Sequence, residues 1–315
     1  GEVLLIADEV HNAGAPLTQR GLIEKYSYRL GLSATPRRWF DDEGTDIIYN
    51  YFGDTIYEFT LKQAINTINP DTNETYLAPY EYHPFFVELT DRELSQYYDM
   101  CKKIAVQYYK SKANEDKRKL FDLLCIQRQN IVRNAHNKFQ KFKEILESFD
   151  NVSDCLIYCS PQQIDNVQEI LNEHGVIQSR FTGEENDNRR QELLRNFAEK
   201  KYQALVAMKC LDEGVDVPST RVAIFLASSG NPKEFIQRRG RILRRFKGKE
   251  KAIIYDIIVV PSLNPSNFNP EALEIERKIL QKELKRYGEF AGSSMNYAQT
   301  LNKIFPIKKL FNVDW

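Results

Sequence analysis

From residue 154 onward the chain repeats one cadence: a short, continuously apolar run, then a helix-length amphipathic stretch, then another apolar run. DCLIYC is followed by PQQIDNVQEILNEHG, VIQSRFTG by DNRRQELLRNFAEK, YQALVAM and RVAIFLA by PKEFIQRRGRILRR, and KAIIYDII closes the series. Strands that are apolar at every position are buried on both faces, and strands separated by helices of this length run parallel, because a parallel return needs a long crossover. The cadence predicts an α/β unit built on a parallel sheet, with Gly175 ending the first of its helices.

Two segments near the start follow the same rule. EVLLIADEVH is an apolar run that breaks into acids, read as a buried parallel strand, and YRLGLSATP is a short strand that breaks into small hydroxyl residues before a proline stops it. Parallel sheets bind ligands outside the carboxyl ends of their strands, which is where Asp8, Glu9, His11, Ser33 and Thr35 fall. Residues 45–82 predict a helix at DIIYNYF, a strand at DTIYEFT, a helix at LKQAINTI and a loop through NPDTNET. From Asp91 to Phe149 the pattern becomes long charged helices, opened by a capping box in which Thr90 caps the amide end and Glu93 reaches back. Residues 270–304 read as amphipathic helix. The expected division is 1–82 for the first unit, 83–150 for a helical insert, 151–262 for the second α/β unit and 263–315 for a helical extension.

Lysine plus arginine total 44 and so do aspartate plus glutamate, so attraction to nucleic acid has to come from local patches. One such patch is EFIQRRGRILRR, with arginines at 238, 239, 241, 244 and 245; by itself it is equally a solvated helix face. The five cysteines are scattered and odd in number, as expected for thiols of a reducing, cytoplasmic compartment. Cys155 and Cys159 have no histidine near them to complete a zinc set. No apolar run approaches 18 residues, so no membrane partner is expected.

Alone, Asp8 and Glu9 read as loop acids capping the next helix, and SAT as a hydroxyl-rich turn. Their order is more specific. DEVH, SATP, GVDVP and QRRGRILR resemble motifs II, III, V and VI of superfamily 2 helicases of the DEAD/DEAH type, a resemblance covering most of residues 1–258. It implies two RecA-like parallel-sheet domains, the first truncated at its N-terminus, with a helical insert and a helical C-terminal tail. It also implies an ATP-driven motor on nucleic acid, in which Asp8 holds the Mg2+ that accompanies ATP and Glu9 orients the attacking water. Gln237, Gly240, Arg241 and Arg244 fall on the family's Q-x-x-G-R-x-x-R. Arg241 and Arg244, one helical turn apart on one face, would stabilise charge on the transferred phosphoryl group, a role for which lysine is a poor substitute. Gly214, Asp216 and Gly240 would contact the nucleotide, and His11, Ser33 and Thr35 would couple its cleft to the nucleic-acid surface.

For nucleic-acid phosphate contacts the candidates are Thr182, Gly183, Arg190 and Lys209, the last standing where a hydroxyl residue is usual in motif V. An acidic loop before a capped helix is the other reading of FTGEENDNRR. The runs GLSATPRR, YFGDTIYEFTLKQAI and LTDRELSQYY look most like the branch with XPB-type repair helicases and restriction-enzyme motor subunits, which points to DNA, with an RNA helicase as the alternative. The phosphate loop G-x-x-x-x-G-K-S/T does not occur, and FKGK at 246–249 lacks its glycine spacing and context. The resemblance thus implies a chain that starts partway through its first motor domain, partnered by the missing N-terminal part and without ATPase activity of its own. A non-catalytic nucleic-acid-binding module that kept the motor fold is the alternative of another class. His83, His136 and His174 show no ligand spacing, and Tyr97, Tyr98, Tyr108 and Tyr109 read as packing residues.

Overall fold

In the computed structural model, which describes residues 1–38, 41–111, 115–208, 217–227, 232–262 and 270–313, the first unit is small. Strand β1 (Leu4–Ala7) pairs in parallel with β2 (Tyr28–Gly31), Leu4 opposite Tyr28 and Ala7 opposite Gly31. Helix α1 (Asp42–Phe52) packs on the turn after β1; its cap, Asp41, accepts from the Gly44 amide and from Arg38, which together hold the Asp41 carboxyl below its usual range. The strands expected to be buried are half open: Ile6 is 57 % exposed and Leu30 37 %. Two strands present too few neighbours to cover both faces of an apolar run.

Residues 54–60, expected as a strand, form no strand, with Ile56 91 % exposed. Their apolar and aromatic residues favour a sheet, but no neighbouring strand is there to receive their backbone groups. Helix α2 (Leu61–Asn66) follows, opened by a Thr60–Gln63 capping box. The segment expected as a loop instead folds into a tight antiparallel hairpin of β3 (Ile68–Asn69) and β4 (Glu74–Thr75), with Asn73 in the left-handed region (φ 56°).

Strand β5 (Tyr80–Val87) leads into α3 (Asp91–Ser111), α4 (Glu115–Arg133) and α5 (Asn137–Glu147). The capping box before α3 forms as expected: the Thr90 amide donates to the Glu93 carboxylate at 2.9 Å and the Glu93 amide to the Thr90 hydroxyl at 3.3 Å. Then come β6 (Cys155–Tyr158), α6 (Ile164–Glu173), β7 (Gln178–Phe181), α7 (Asp187–Ala198), β8 (Ala204–Ala207), β9 (Val222–Phe225), α8 (Pro232–Ile242), β10 (Ala252–Val259), α9 (Pro270–Ala291) and α10 (Tyr297–Phe311). Gly175 ends α6 in the left-handed region.

Six strands form one wholly parallel sheet in the order β5-β10-β9-β6-β8-β7. The chain is a mixed α/β fold with helices on both faces of that sheet. Alternate residues of each central strand enter opposite cores. Leu156, Tyr158 and Phe225 meet α7, α8, α9 and α10 through Phe197, Phe235, Phe290 and Ile304, whereas Cys155, Ile157 and Ile224 meet α5 and α6 through Phe142, Ile145 and Val167. This two-sided burial is why the strands are apolar without alternation.

The boundary drawn at residue 83 falls inside β5, which is hydrogen-bonded along its length to β10 and so belongs to the six-stranded sheet. On its other side β5 is closed by the helical extension. The Asn296 side chain accepts from the Tyr82 amide and donates to the Tyr82 carbonyl, both at 2.9 Å, and the Met295 amide donates to the Tyr80 carbonyl at 2.8 Å. A side-chain amide thus stands in for a neighbouring strand and blunts the sheet edge. Tyr97 is buried, while Tyr108 is exposed beside Phe121; the Tyr109 side chain lies outside the described residues. His83 stacks on Tyr255, and the His174 ring meets the Ile170 carbonyl. Among the described residues no helix is long and apolar enough to cross a membrane.

Candidate nucleotide site between the two units

Strand β1 delivers Asp8 and Glu9 at its carboxyl end. Glu9 adopts left-handed backbone (φ 49°, ψ 50°), an uncommon conformation for a residue with a side chain, and opens the tight turn Val10–Gly14. That turn is tied to the exit of β2 by a 2.9 Å bond from the Val10 amide to the Leu32 carbonyl. Asp8 is exposed, and its Oδ1 accepts from the Glu9 amide at 2.8 Å.

The parallel pairing brings DEVH and SAT together. His11 is buried, with Nδ1 3.0 Å from Ser33 Oγ and 3.2 Å from Glu9 Oε2. Ser33 Oγ also accepts from the Thr35 amide at 3.1 Å, and Thr35 Oγ1 is a buried oxygen with no hydrogen-bond partner among the described residues. Arg38, which sequence reasoning passed over, donates to the His11 carbonyl at 2.6 Å and fixes the turn from below. Its position just after SATP was the available signal.

The second unit reaches this turn through α8. Gln237 Nε2 donates to Glu9 Oε1 at 3.3 Å, a contact between residues 228 apart in sequence. Arg241, half-buried, lies one turn further along the helix from Gln237 and so on the same face. Arg244 departs from expectation. The helix stops at Ile242, and Arg244 forms an antiparallel bridge with Leu77, so it leaves the helical face and is exposed. The cause is the chain at 77–78, whose Ala78 amide takes the Leu243 carbonyl at 2.7 Å and draws the backbone out of the helix.

The remaining arginines of the basic run have separate tasks. Arg238 is buried over the Tyr158 ring, 5.2 Å from its centroid. Arg239 is buried over Phe290, donates to the Glu289 carbonyl and lies 3.6 Å from the Glu289 carboxylate. Arg245 reaches back to the hairpin, donating to the Thr75 carbonyl at 3.0 Å and to the Thr75 hydroxyl. At Gly240 an added Cβ would meet nothing within 4 Å, so the helix faces open space there.

Lys209, Gly214 and Asp216 lie outside the described residues. Thr182, Gly183 and Arg190 are gathered at the carboxyl end of β7, but the Thr182 hydroxyl and the Arg190 Nη groups are engaged internally, while Arg190 Nε is buried with no hydrogen-bond partner among the described residues. The Thr182 hydroxyl is buried against the Glu185 carboxylate at 2.9 Å, and Arg190 donates to the Gly183 carbonyl at 3.2 Å while lying 3.8 Å from Asp187. A phosphate there would have to displace Glu185.

Among the described residues no group of three or more His, Cys, Asp or Glu side chains gathers to hold a metal. What β1 offers is one outward carboxylate, Asp8. That donor set fits Mg2+ that keeps its waters and takes further oxygens from a bound triphosphate, rather than a cation held in a protein cage.

The family model described as the helicase conserved C-terminal domain matches residues 137–246. A DNA 3'-5' translocase XPB2 from Sulfurisphaera tokodaii is 28 % identical over 269 residues, covering 80 % of this chain and 57 % of the relative. A putative DNA 3'-5' helicase Rad25 from Haloarcula marismortui is 25 % identical over 252 residues, covering 76 % of this chain and 33 % of the relative. The chain therefore spans about half or less of these relatives' lengths. In fold it resembles the ATP-dependent Type ISP restriction-modification enzyme LlaBIII bound to DNA, with a TM-score of 0.51 and 17 % identity over 90 % of this chain and 20 % of that one. Residues 137–246 thus match the helicase conserved C-terminal domain, and the chain is similar to the C-terminal region of superfamily 2 helicases.

Proposed function

We propose that the chain is part of an ATP-driven DNA helicase or double-strand translocase whose nucleotide site lies between Asp8–Glu9 and α8. The observation that carries this reading is the 3.3 Å bond from Gln237 to Glu9, which sets the arginine-bearing helix against the carboxylate turn. In this reading Asp8 takes the Mg2+ that travels with the triphosphate, and Glu9 orients the water that attacks it. Arg241 supplies a guanidinium to the developing phosphoryl charge, an effect on the order of a thousandfold in rate. Arg244, exposed beyond the helix end, reaches the same charge when the units close. By the motif resemblance, Gly214, Gly240 and Asp216 are assigned to nucleotide binding and Lys209 to nucleic-acid binding. His11, against Glu9, with Ser33 and Thr35 linked to it in turn, relays the state of the site towards the nucleic-acid surface.

DNA is favoured over RNA by the relatives named for DNA translocation and unwinding. A reducing, cytoplasmic setting suits the four described cysteines, none of which is in a disulfide. The pattern G-x-x-x-x-G-K-S/T does not occur in the sequence, and in this reading the phosphate loop is supplied by an N-terminal part of the same polypeptide. Phosphate release should therefore be undetectable with this chain alone. It should appear in the motor that joins the chain to a phosphate loop, be stimulated by DNA more than by RNA, and be abolished by Arg241→Ala. Stimulation by RNA alone would move the assignment to an RNA helicase. DNA binding without turnover in any form would leave a binding module that kept the motor fold.

A further inference from the structure

The FKGK turn at 246–249, which fails as a phosphate loop, has a different geometry of its own. Gly248 takes a left-handed backbone (φ 73°) and the Lys249 amide closes on the Phe246 carbonyl at 2.9 Å, so the chain reverses directly after the arginine run. The reversal drives the Lys249 side chain back under the end of α8, where the residue is only 4 % exposed. Its ammonium donates to the Ile242 carbonyl, to the Arg244 carbonyl at 3.1 Å and to the Pro218 carbonyl at 3.3 Å.

One of these acceptors, the Ile242 carbonyl, ends the arginine helix, where the last carbonyls lack intrahelical partners and carry partial negative charge, and a second, the Arg244 carbonyl, lies two residues beyond it. The third closes GVDVP, the segment bearing Gly214 and Asp216. An ammonium has three donors, and here two carbonyls of the arginine run and one of GVDVP share them. Removing the buried cation from such a site takes a donor away from each of three carbonyls.

We propose that Lys249 is a positioning residue for the nucleotide site: it locks the end of GVDVP to the end of the arginine helix so that the two move as one body. This rests on the motor function proposed above. Lys249 touches neither nucleotide nor nucleic acid; it acts through the backbone of Ile242 and Arg244, and so on where the guanidiniums of Arg241 and Arg244 are presented. The arrangement also explains why a lysine, compact and able to point three donors in different directions, stands there instead of an arginine fork.

The test has two arms. In the first, hydrogen–deuterium exchange is followed in this chain for Lys249→Met and for the milder Lys249→Gln. Exchange should quicken about tenfold in residues 217–220 and 237–245 together, with β5 and β10 unchanged. Faster exchange confined to 237–245, or none in either segment, would overturn the proposal, leaving Lys249 a helix cap or a bystander. If Lys249→Met unfolds, Lys249→Gln decides by the same criterion. In the second arm, ATP turnover is measured in the motor that includes a phosphate loop. Lys249→Gln should lower kcat about tenfold while KM for ATP stays within about twofold. Unchanged kcat in a folded variant would also overturn it. A wild-type motor without turnover would sink the motor function but not the lock, which the exchange arm decides independently.

Discussion

Replacing Asp256 with asparagine removes one charge from a fully buried network while keeping the side-chain shape. Asp256, on β10, is 0 % exposed and receives the Arg286 guanidinium through two bonds, at 3.0 and 3.1 Å, together with the Tyr82 hydroxyl at 2.8 Å. Arg286 is itself buried on α9, and the neighbouring carboxylates of Asp256 and Glu283 hold its pKa above the ordinary value against the opposing effect of burial. Breaking a buried pair by removing one partner costs about 3–5 kcal/mol. Glu283 still lies 2.9 Å from Arg286 and softens the loss, so the lower end, about 3 kcal/mol, is expected. For a unit of this size that corresponds to a fall of about 6–12 °C in Tm, or about 1.5 M in the urea midpoint with a slope near 2 kcal/mol/M. The double variant Asp256→Leu with Arg286→Met should recover most of the loss, because an apolar replacement removes the desolvation cost of both charges. A loss below about 1 kcal/mol in the single variant, or a double variant worse than the single one, would refute the reasoning.

A pH dependence follows from Lys138, buried under β9, where its ammonium donates to the Leu226 carbonyl at 2.8 Å and the Arg133 carbonyl at 3.2 Å. Burial pulls its pKa from 10.5 down to about 8. Between those values the unfolded chain binds the proton and the folded chain does not, so stability should rise with pH above about 8, by up to about 3 kcal/mol. Urea titrations between about pH 8 and pH 9 should show the wild type gaining stability relative to Lys138→Met; the comparison cancels the opposing ionisation, in the unfolded chain, of Cys155 and of the tyrosines that burial protects in the fold. In the first unit, Gly14→Ala would drive a Cβ into the Gly44 carbonyl oxygen and to 2.6 Å from Arg38 Cδ. Because Gly14 ends the turn that carries His11, this variant should lose about 1–3 kcal/mol of local stability. The loss should appear as faster proteolysis of residues 1–52 and a shifted His11 ring resonance; unchanged values of both would show that the turn tolerates the side chain.

The second unit was legible in the sequence because both of its faces are covered: apolar strands and amphipathic helices carry their own signal, and Thr90–Glu93 and Gly175 mark ends by local chemistry. Pairing was less legible. β5 joins β10 across some 170 residues, and nothing in YEYHPFFV says which strand it meets. DTIYEFT has the composition of a strand without the neighbour that would make it one. At the candidate site, the adjacency of His11, Ser33 and Glu9 follows from two strands ending side by side, which motif order implies. What stayed hidden depends on side chains competing for the same partner. Glu185 occupies the Thr182 hydroxyl, Leu77 pulls Arg244 off its helix, and Lys249 gathers carbonyls from two motifs. None of these leaves a periodic trace in the sequence.

The most direct measurement is a structure of the motor, with its phosphate loop, holding ADP and a metal fluoride that stands in for the transferred phosphoryl group. Arg241 should then lie within about 3 Å of the fluoride group, with Asp8 on the metal's coordination shell. Arg241 and Arg244 both turned to solvent while Gln237 still rests on Glu9 would contradict a nucleotide site between these two units.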